Sequence, residues 1–177
     1  MEFPTLLNYE ISDRSEVLCG EHSERRDFGI EWMEKGDIEE VLGIEQRCFI
    51  SPWTRDSFEQ ELDLERSKSF VAKKTAGGQK RIIGYIFFWL VVDEIHILNI
   101  ATHPDFRKQG IATSLVDACL EFSNDACAKA VTLEVRKSNL SALSLYKKFG
   151  FECKGVRPGY YSDTQEDAIV MWLKLGL

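Results

Sequence analysis

The sequence has 177 residues, 44% of them hydrophobic, which is near the usual size of one domain and ample for a buried core. Its 22 lysines and arginines against 29 aspartates and glutamates leave a net charge of -7, which disfavours non-specific binding to nucleic acid and suits basic partners. The five cysteines, Cys19, Cys48, Cys119, Cys127 and Cys153, are odd in number and contain no C-x-x-C pair, so neither a disulfide framework nor a zinc site is expected, and a reducing, cytoplasmic setting fits.

Residues 1–26 carry Glu2, Glu10 and Asp13 and no apolar run of signal-peptide length. No later stretch reaches the length of a bilayer span, so a soluble protein is expected. The segment has no helical or strand period and leads into the charge-dense EHSERRD at 21–27. It is expected to be an N-terminal extension, in part disordered, ahead of a single domain over 27–177. From Phe28, FGIEWM alternates as an opening strand. Asp37 stands where an N-cap is needed before Ile38, Val41, Leu42 and Ile44, whose spacing predicts a helix that Phe49 and the SPW turn interrupt. Thr54 is the matching cap for a second helix, TRDSFEQELDLE. SFVAKK and RIIGYIFFWLVV, separated by Gly77-Gly78, predict an antiparallel hairpin, and EIHILNIAT predicts the next strand.

Beyond HPDFRKQG, the apolar positions Ile111, Leu115, Ala118, Cys119 and Phe122 predict an amphipathic helix of about three turns. AVTLEVR alternates as a strand. Ala142, Leu145, Tyr146 and Phe149 share one face of a short helix over 141–149, which Gly150 is placed to end. FECKGVR and EDAIVMWLKL predict closing strands, with GYYSD as the loop before the last. Strands at both ends around one strand, helix, strand crossover, without an internal repeat, give an α/β class built on a mixed sheet.

The loop HPDFRKQG at 103–110 therefore joins a strand to the start of a helix. The first amides of a helix lack intrahelical partners and sit at the positive end of its dipole, so they can receive a phosphate. Gly110 permits close backbone approach, Ala112 keeps the first turn narrow, and Arg107 and Lys108 add charge at the rim. A pyrophosphate would fit. The alternative is an ordinary solvated turn, since R/Q-x-x-G-x-G/A arises by chance in roughly one chain of this length in six. The order of strand, loop, amphipathic helix, TLEVR strand and short helix favours the anion loop.

Three segments, DEIHILNIATHPDFRKQGIATSLV, LEVRKSNLSALSLYKKFGF and RPGYYSDTQEDAIVMWLKL, resemble the GNAT superfamily of acetyl-CoA-dependent N-acetyltransferases. Within it they are similar to the ribosomal-protein-alanine N-acetyltransferases of the RimI type. The first segment marks the superfamily, and the other two together are characteristic of enzymes that acetylate protein N-termini. The likeness covers about residues 28–175; residues 1–26 match nothing. It implies a GNAT fold, a mixed and mostly antiparallel twisted sheet flanked by helices. It also implies acetyl-CoA as cosubstrate, with backbone groups of Ile100, Ala101 and Thr102 meeting the pantetheine arm. Lys108, Gln109, Gly110, Ile111, Ala112 and Thr113 would cradle the pyrophosphate. Asn139 would contact the cofactor through its side chain, with a helix-capping role as the alternative or the companion. The implied partner is the N-terminal alanine of a small-subunit ribosomal protein, with neither direct nucleic-acid binding nor a membrane involved.

Acetyl transfer to an amine needs a base, a stabilised oxyanion and a proton for the departing thiolate. In AVTLEVR, Val131, Leu133 and Val135 fall on one face, and Thr132, Glu134 and Arg136 on the other, where the resemblance puts the acceptor amine. Glu134 is then the general base and Tyr146 the proton donor to the coenzyme A sulfur. Periodicity alone favours a plainer reading, with Glu134 paired to Arg136 or a lysine and Tyr146 a core aromatic. Trp53 of FISPW and Tyr160 and Tyr161 of GYYSD would line the acceptor groove; half-buried loop aromatics are the alternative. His96 and His103 show no metal-ligand spacing, no metal is expected, and His96 is expected to be a packed or surface imidazole. The competing functions are the same chemistry on other protein N-termini, lysines or small amines, and a silent acyl-CoA-binding module.

Overall fold

A computed structural model describes residues 27–76 and 78–176; the extension over 1–26, Gly77 of the first hairpin turn and Leu177 lie outside the described residues. Strand β1 (Phe28–Trp32) leads through a 3-10 turn at Lys35–Asp37 into helix α1 (Ile38–Cys48), followed by α2 (Arg55–Asp63). Asp37 occupies the N-cap position without capping through its side chain. The 3-10 entry turns its carboxylate back to accept from Glu34 N at 3.0 Å and to pair with Lys73 at 2.9 Å. Thr54 does cap α2, its hydroxyl accepting from Ser57 N at 3.2 Å.

Strands β2 (Ser67–Ala76), β3 (Gln79–Val91) and β4 (Glu94–Thr102) form a meander. Helix α3 (Ile111–Asp125) has 15 residues and so about four turns rather than three; past Phe122 the buried Ser123 continues it, its hydroxyl donating to the Cys119 carbonyl oxygen at 2.6 Å. Then come β5 (Ala130–Arg136), α4 (Leu140–Lys148), β6 (Glu152–Tyr161) and β7 (Glu166–Lys174). The segment RPGYY is strand rather than loop. Tyr161 pairs with Glu166 to close the last hairpin, and a register shift between Arg157 and Tyr161 absorbs Pro158 and Gly159, whose φ is +59°.

The seven strands make one sheet in the order β1-β2-β3-β4-β5-β7-β6, in which only β4 and β5 run parallel. Alternate residues of β3 feed two cores. Ile83, Ile86 and Phe88 pack with Ile111, Leu115 and Cys119 of α3 and Tyr146 of α4, whereas Ile82, Tyr85 and Phe87 pack with Val41, Ile44 and Phe58 of α1 and α2. Each such isoleucine or phenylalanine, once fully buried, contributes roughly 1.5–3 kcal/mol. Gly84 is needed where β3 passes beneath α3. A Cβ there would stand 2.8 Å from Ile111 Cγ2 and 2.9 Å from the Ala101 carbonyl oxygen.

The parallel pairing of β4 with β5 stops early. It holds Glu94–Ile97 against Ala130–Leu133 and no further, although β4 runs on to Thr102 and β5 to Arg136. The cause is a bulge: Phe88 faces Ile97 and Phe87 faces Asn99, which leaves Leu98 as an extra residue in β4. Past it β4 stays bonded to β3 while β5 stays bonded to β7, so the sheet opens between them.

Candidate active site

A cavity of about 690 Å³ lies in this opening, bounded by Ile100, Ala101 and Thr102 on β4, by the first turn of α3, and by α4. Lys108, Gly110, Ile111, Ala112, Thr113 and Asn139 also line it, as sequence reasoning anticipated. Gln109 does not. It is exposed and falls outside the lining, while Arg107 takes part instead. The loop geometry explains the residue types. Lys108 and Gly110 have φ of +62° and +82°, and Gly110 occupies the N-cap of α3, so the amides of residues 111–113 face the opening without intrahelical partners. Ile111 offers only backbone, its side chain being buried in the core.

These groups suit an extended anionic thioester. Unpaired helix amides with Arg107 and Lys108 match a pyrophosphate, and the unpaired edge of β4 matches an amide-bearing arm. Thr102 Oγ1, on that edge, is buried with no hydrogen-bond partner among the described residues, an orphan of the kind that a bound ligand satisfies. Asn139 stands where both expected roles are open to it. Its side chain caps α4 by accepting from Ala142 N at 3.1 Å, and the residue lines the cavity.

A second cavity, of about 470 Å³, adjoins the first on the side of the α1–α2 loop and the β6–β7 hairpin. The two share Cys48, Phe49, Ile100, Asn139, Ala142 and Tyr146. Trp53, Tyr160, Tyr161 and Glu134 all line the second. Trp53 is half-buried against Phe58 and Phe87, with ring centroids at 5.4 and 5.6 Å. Tyr161 lies under the Arg136 guanidinium at 3.9 Å, and its hydroxyl donates to the Glu134 carbonyl oxygen at 3.4 Å. Burial pushes its phenol up to about 12, against the opposing pull of Arg136. Tyr146 is 4% exposed, and burial likewise raises its phenol well above the ordinary range, so it keeps its proton.

The surroundings of Glu134 differ from either sequence expectation. Its side chain, 7% exposed, sits between His96 Nε2 at 2.8 Å and Arg157 at 3.2 Å. Arg136 is not its partner. That guanidinium turns to Asp163 at 2.6 Å and Glu166 at 3.4 Å on the last hairpin, and it holds the Asp163 carboxyl below its usual range. His96, read from sequence as a packed or surface imidazole, thus faces the carboxylate, and Thr132 Oγ1 lies 3.1 Å from its Nδ1. Nε2 thus faces the Glu134 carboxylate and Nδ1 the Thr132 hydroxyl, which can donate or accept. Only strand register reveals this. His96 pairs with Thr132 across the parallel ladder, so Glu134, two residues on, shares their face.

Two further features have no local sequence signal. Ser51 Oγ donates to Asp163 Oδ2 at 3.2 Å, tying the α1–α2 loop to the β6–β7 turn across the second cavity. Phe49 and Ile50 stay 37% and 73% exposed at its mouth, an apolar rim for an incoming chain. Among the described residues no cluster of His, Cys, Asp and Glu is arranged to hold a metal, and no helix is long and apolar enough to cross a membrane.

Residues 38–151 match the Acetyltransferase (GNAT) family. A Bacillus subtilis (strain 168) relative is 39% identical over 139 residues, which span 78% of this chain and 90% of the relative. The Escherichia coli (strain K12) ribosomal protein bS18-alanine N-acetyltransferase is 31% identical over 147 residues, 82% of this chain and 96% of that one. The crystal structure of the ribosomal-protein-S18-alanine N-acetyltransferase from Escherichia coli superposes with a TM-score of 0.76 over 85% of this chain and 95% of that chain.

Proposed function

The chain belongs to the acetyltransferase (GNAT) family of acetyl-CoA-using N-acetyltransferases, and from that premise we propose that it acetylates the N-terminal amine of a protein, with an N-terminal alanine of ribosomal protein bS18 as the acceptor. One observation carries the reading. The cavity suited to an acyl thioester and the cavity rimmed by Phe49, Ile50 and Tyr160 meet at Tyr146, with Glu134 on the wall of the second. The names of the relatives supply the acceptor class.

Acetyl-CoA supplies an activated acetyl group as its thioester. Arg107, Lys108 and the amides of residues 111–113 would hold its anionic end, and Thr102 and the open edge of β4 its arm. In the second cavity Glu134 takes the proton of the α-ammonium group, directly or through water. Its carboxylate is oriented for this by His96 and Arg157. The amine nitrogen then forms its bond to the acetyl carbon as the carbon–sulfur bond breaks, and the nitrogen releases its second proton to water, leaving the neutral amide. Tyr146 gives its hydroxyl proton to the departing sulfur and regains one from solvent. Glu134 and Tyr146 are the catalytic residues of this reading. Trp53, Tyr160 and Tyr161 flank the acceptor, and His96 positions the base.

The test is a mass-spectrometric screen of peptides differing in their first four residues, read together with release of free coenzyme A. Transfer to the N-terminal nitrogen of alanine-first peptides is expected. Transfer confined to lysine side chains or small amines would overturn the reading.

A further inference from the structure

The α1–α2 loop, which brings Phe49, Ile50, Ser51 and Trp53 to the acceptor cavity, is closed on a single residue. The main-chain carbonyl of Glu45 accepts from Phe49 N at 3.0 Å, and its side-chain Oε1 accepts from Trp53 N at 2.8 Å. Both ends of the loop therefore hang from Glu45. The residue is 1% exposed although it is a glutamate on the apolar face of α1, between Ile44 and the Phe58–Tyr85 cluster. A charge so placed is costly unless every lone pair is used.

The remaining partners anchor it to the sheet. Asn99 Nδ2 donates to Oε1 and Oε2 at 3.2 and 3.3 Å, and the Tyr85 hydroxyl donates to Oε2. Every group that meets this side chain is a donor, so the site calls for an acceptor-only carboxylate. Burial pushes the Glu45 carboxyl above its usual range, and the Tyr85, Trp53 and Asn99 hydrogen bonds oppose that rise. Asn99 stands just beyond the bulge at Leu98, where β4 leaves β5 and becomes a wall of the thioester cavity. Glu45 thus joins the acceptor loop to the strand that bounds the other substrate.

We propose that Glu45 is a positioning residue for acceptor binding: with Asn99 it fixes the height of the Phe49–Trp53 loop over the open end of the sheet, and so sets where the acceptor N-terminus meets the acyl group. The inference rests on the reading of the second cavity as the acceptor site. Glu45 itself has no free lone pair for the amine and is not a catalytic residue.

Glu45→Gln keeps the acceptor for Trp53 N but turns an amide N–H against the Asn99 amide. In the full chain it should raise the KM for an alanine-first peptide about tenfold or more, with calorimetric acetyl-CoA affinity within about twofold of wild type. Amide exchange over 49–53 should rise by a similar factor in the absence of substrate. Adding Asn99→Asp restores the donor and acceptor pattern with the carboxylate on the opposite partner, and should recover both readouts. Should Glu45→Gln alone not fold, Asn99→Ala removes only the tie to β4 and should still raise peptide KM and loop exchange. Wild-type KM in either folded single variant overturns the proposal, as does unchanged exchange over 49–53. A wild-type protein that binds acetyl-CoA and acetylates no peptide N-terminus overturns the functional reading instead, and loop exchange then decides the role of Glu45 by itself.

Discussion

His96 Nε2 lies 2.8 Å from Glu134 Oε2, so the carboxylate we assign as base has its orientation set by an imidazole on the neighbouring parallel strand. Arg157 holds its other oxygen at 3.2 Å from β6, two strands away. A carboxylate held on both oxygens keeps a fixed orientation with lone pairs to spare, and Glu134 lines the second cavity.

Glu134→Gln keeps the size and one acceptor oxygen, turns an amide N–H toward His96 or Arg157, and removes basicity. The acceptor amine titrates near about 7.7–8.0, so the variant should lose turnover by a factor on the order of 10²–10⁴ at neutral pH and regain part of it toward pH ~9, as the amine loses its proton unaided. Initial rates across that range check this. A uniform loss at every pH would show that Glu134 acts through structure and not as a base. His96→Asn, which leaves Glu134 in place but removes the imidazole, should lower kcat by about tenfold and leave acetyl-CoA affinity unchanged.

Tyr146 separates binding from chemistry in another way. Its ring packs at 5.5 Å from Phe151 in the core beneath α4, so Tyr146→Phe retains the packing and loses only the hydroxyl. Turnover should fall by a factor on the order of 10²–10⁴ without rescue at high pH, and acetyl-CoA should bind as before. Stopped-flow and calorimetry on the same preparation decide it. Near-normal turnover would mean that the thiolate takes its proton from solvent.

Much of this was legible in the sequence because the helices and strands carry their own periods. The loop over 103–110 could be placed from order alone, since EIHILNIAT and the Ile111–Phe122 stripe bracket it, and Gly110 does adopt a left-handed backbone at the start of α3. The acceptor side was only half legible. Trp53, Tyr160 and Tyr161 do line the second cavity, the tyrosines from a strand rather than the expected loop, yet the clamp on Glu134 depends on which strand neighbours which. The chain crosses from β5 to α4 and β6 before β7 returns beside β5, and no local pattern encodes that insertion. Glu45 was hidden for a different reason. On an apolar helix face it looks like part of the periodic pattern, and only its four hydrogen bonds from three donors reveal why a carboxylate sits there.

Gly110 tests the loop. Its φ of +82° strains most other residues, and the amides of the first turn of α3 open beside it. Gly110→Asp adds that strain and puts an anion where the pyrophosphate would meet the helix dipole. Acetyl-CoA affinity should fall by about tenfold or more, with folding retained by circular dichroism. Gly110→Asn, which tolerates left-handed backbone and carries no charge, should fall less. Equal affinities in wild type and both variants would return HPDFRKQG to the class of ordinary turns.

The last prediction concerns acid stability at the start of that same loop. His103 is 5% exposed, and Arg47 of α1 donates to its Nε2 at 2.8 Å. Burial first, and then the Arg47 charge, hold the imidazole below its usual range. The neutral ring is therefore favoured by the fold, and its contribution is fully present above the unfolded value near about 6.5. As pH falls below that value the unfolded chain takes up a proton that the native state excludes, so stability declines, by at most about 1.4 kcal/mol per pH unit from this group, until the native value is passed. Urea midpoints should drop more between pH 7 and pH ~5.5 in wild type than in His103→Gln, whose amide can accept from Arg47 but does not titrate. Because His103 bridges α1 to the turn at Pro104–Phe106, acetyl-CoA affinity should fall over the same interval in wild type and hold steadier in the variant. Parallel pH dependences in the two proteins would assign the acid sensitivity to other groups and leave His103 a packing residue alone.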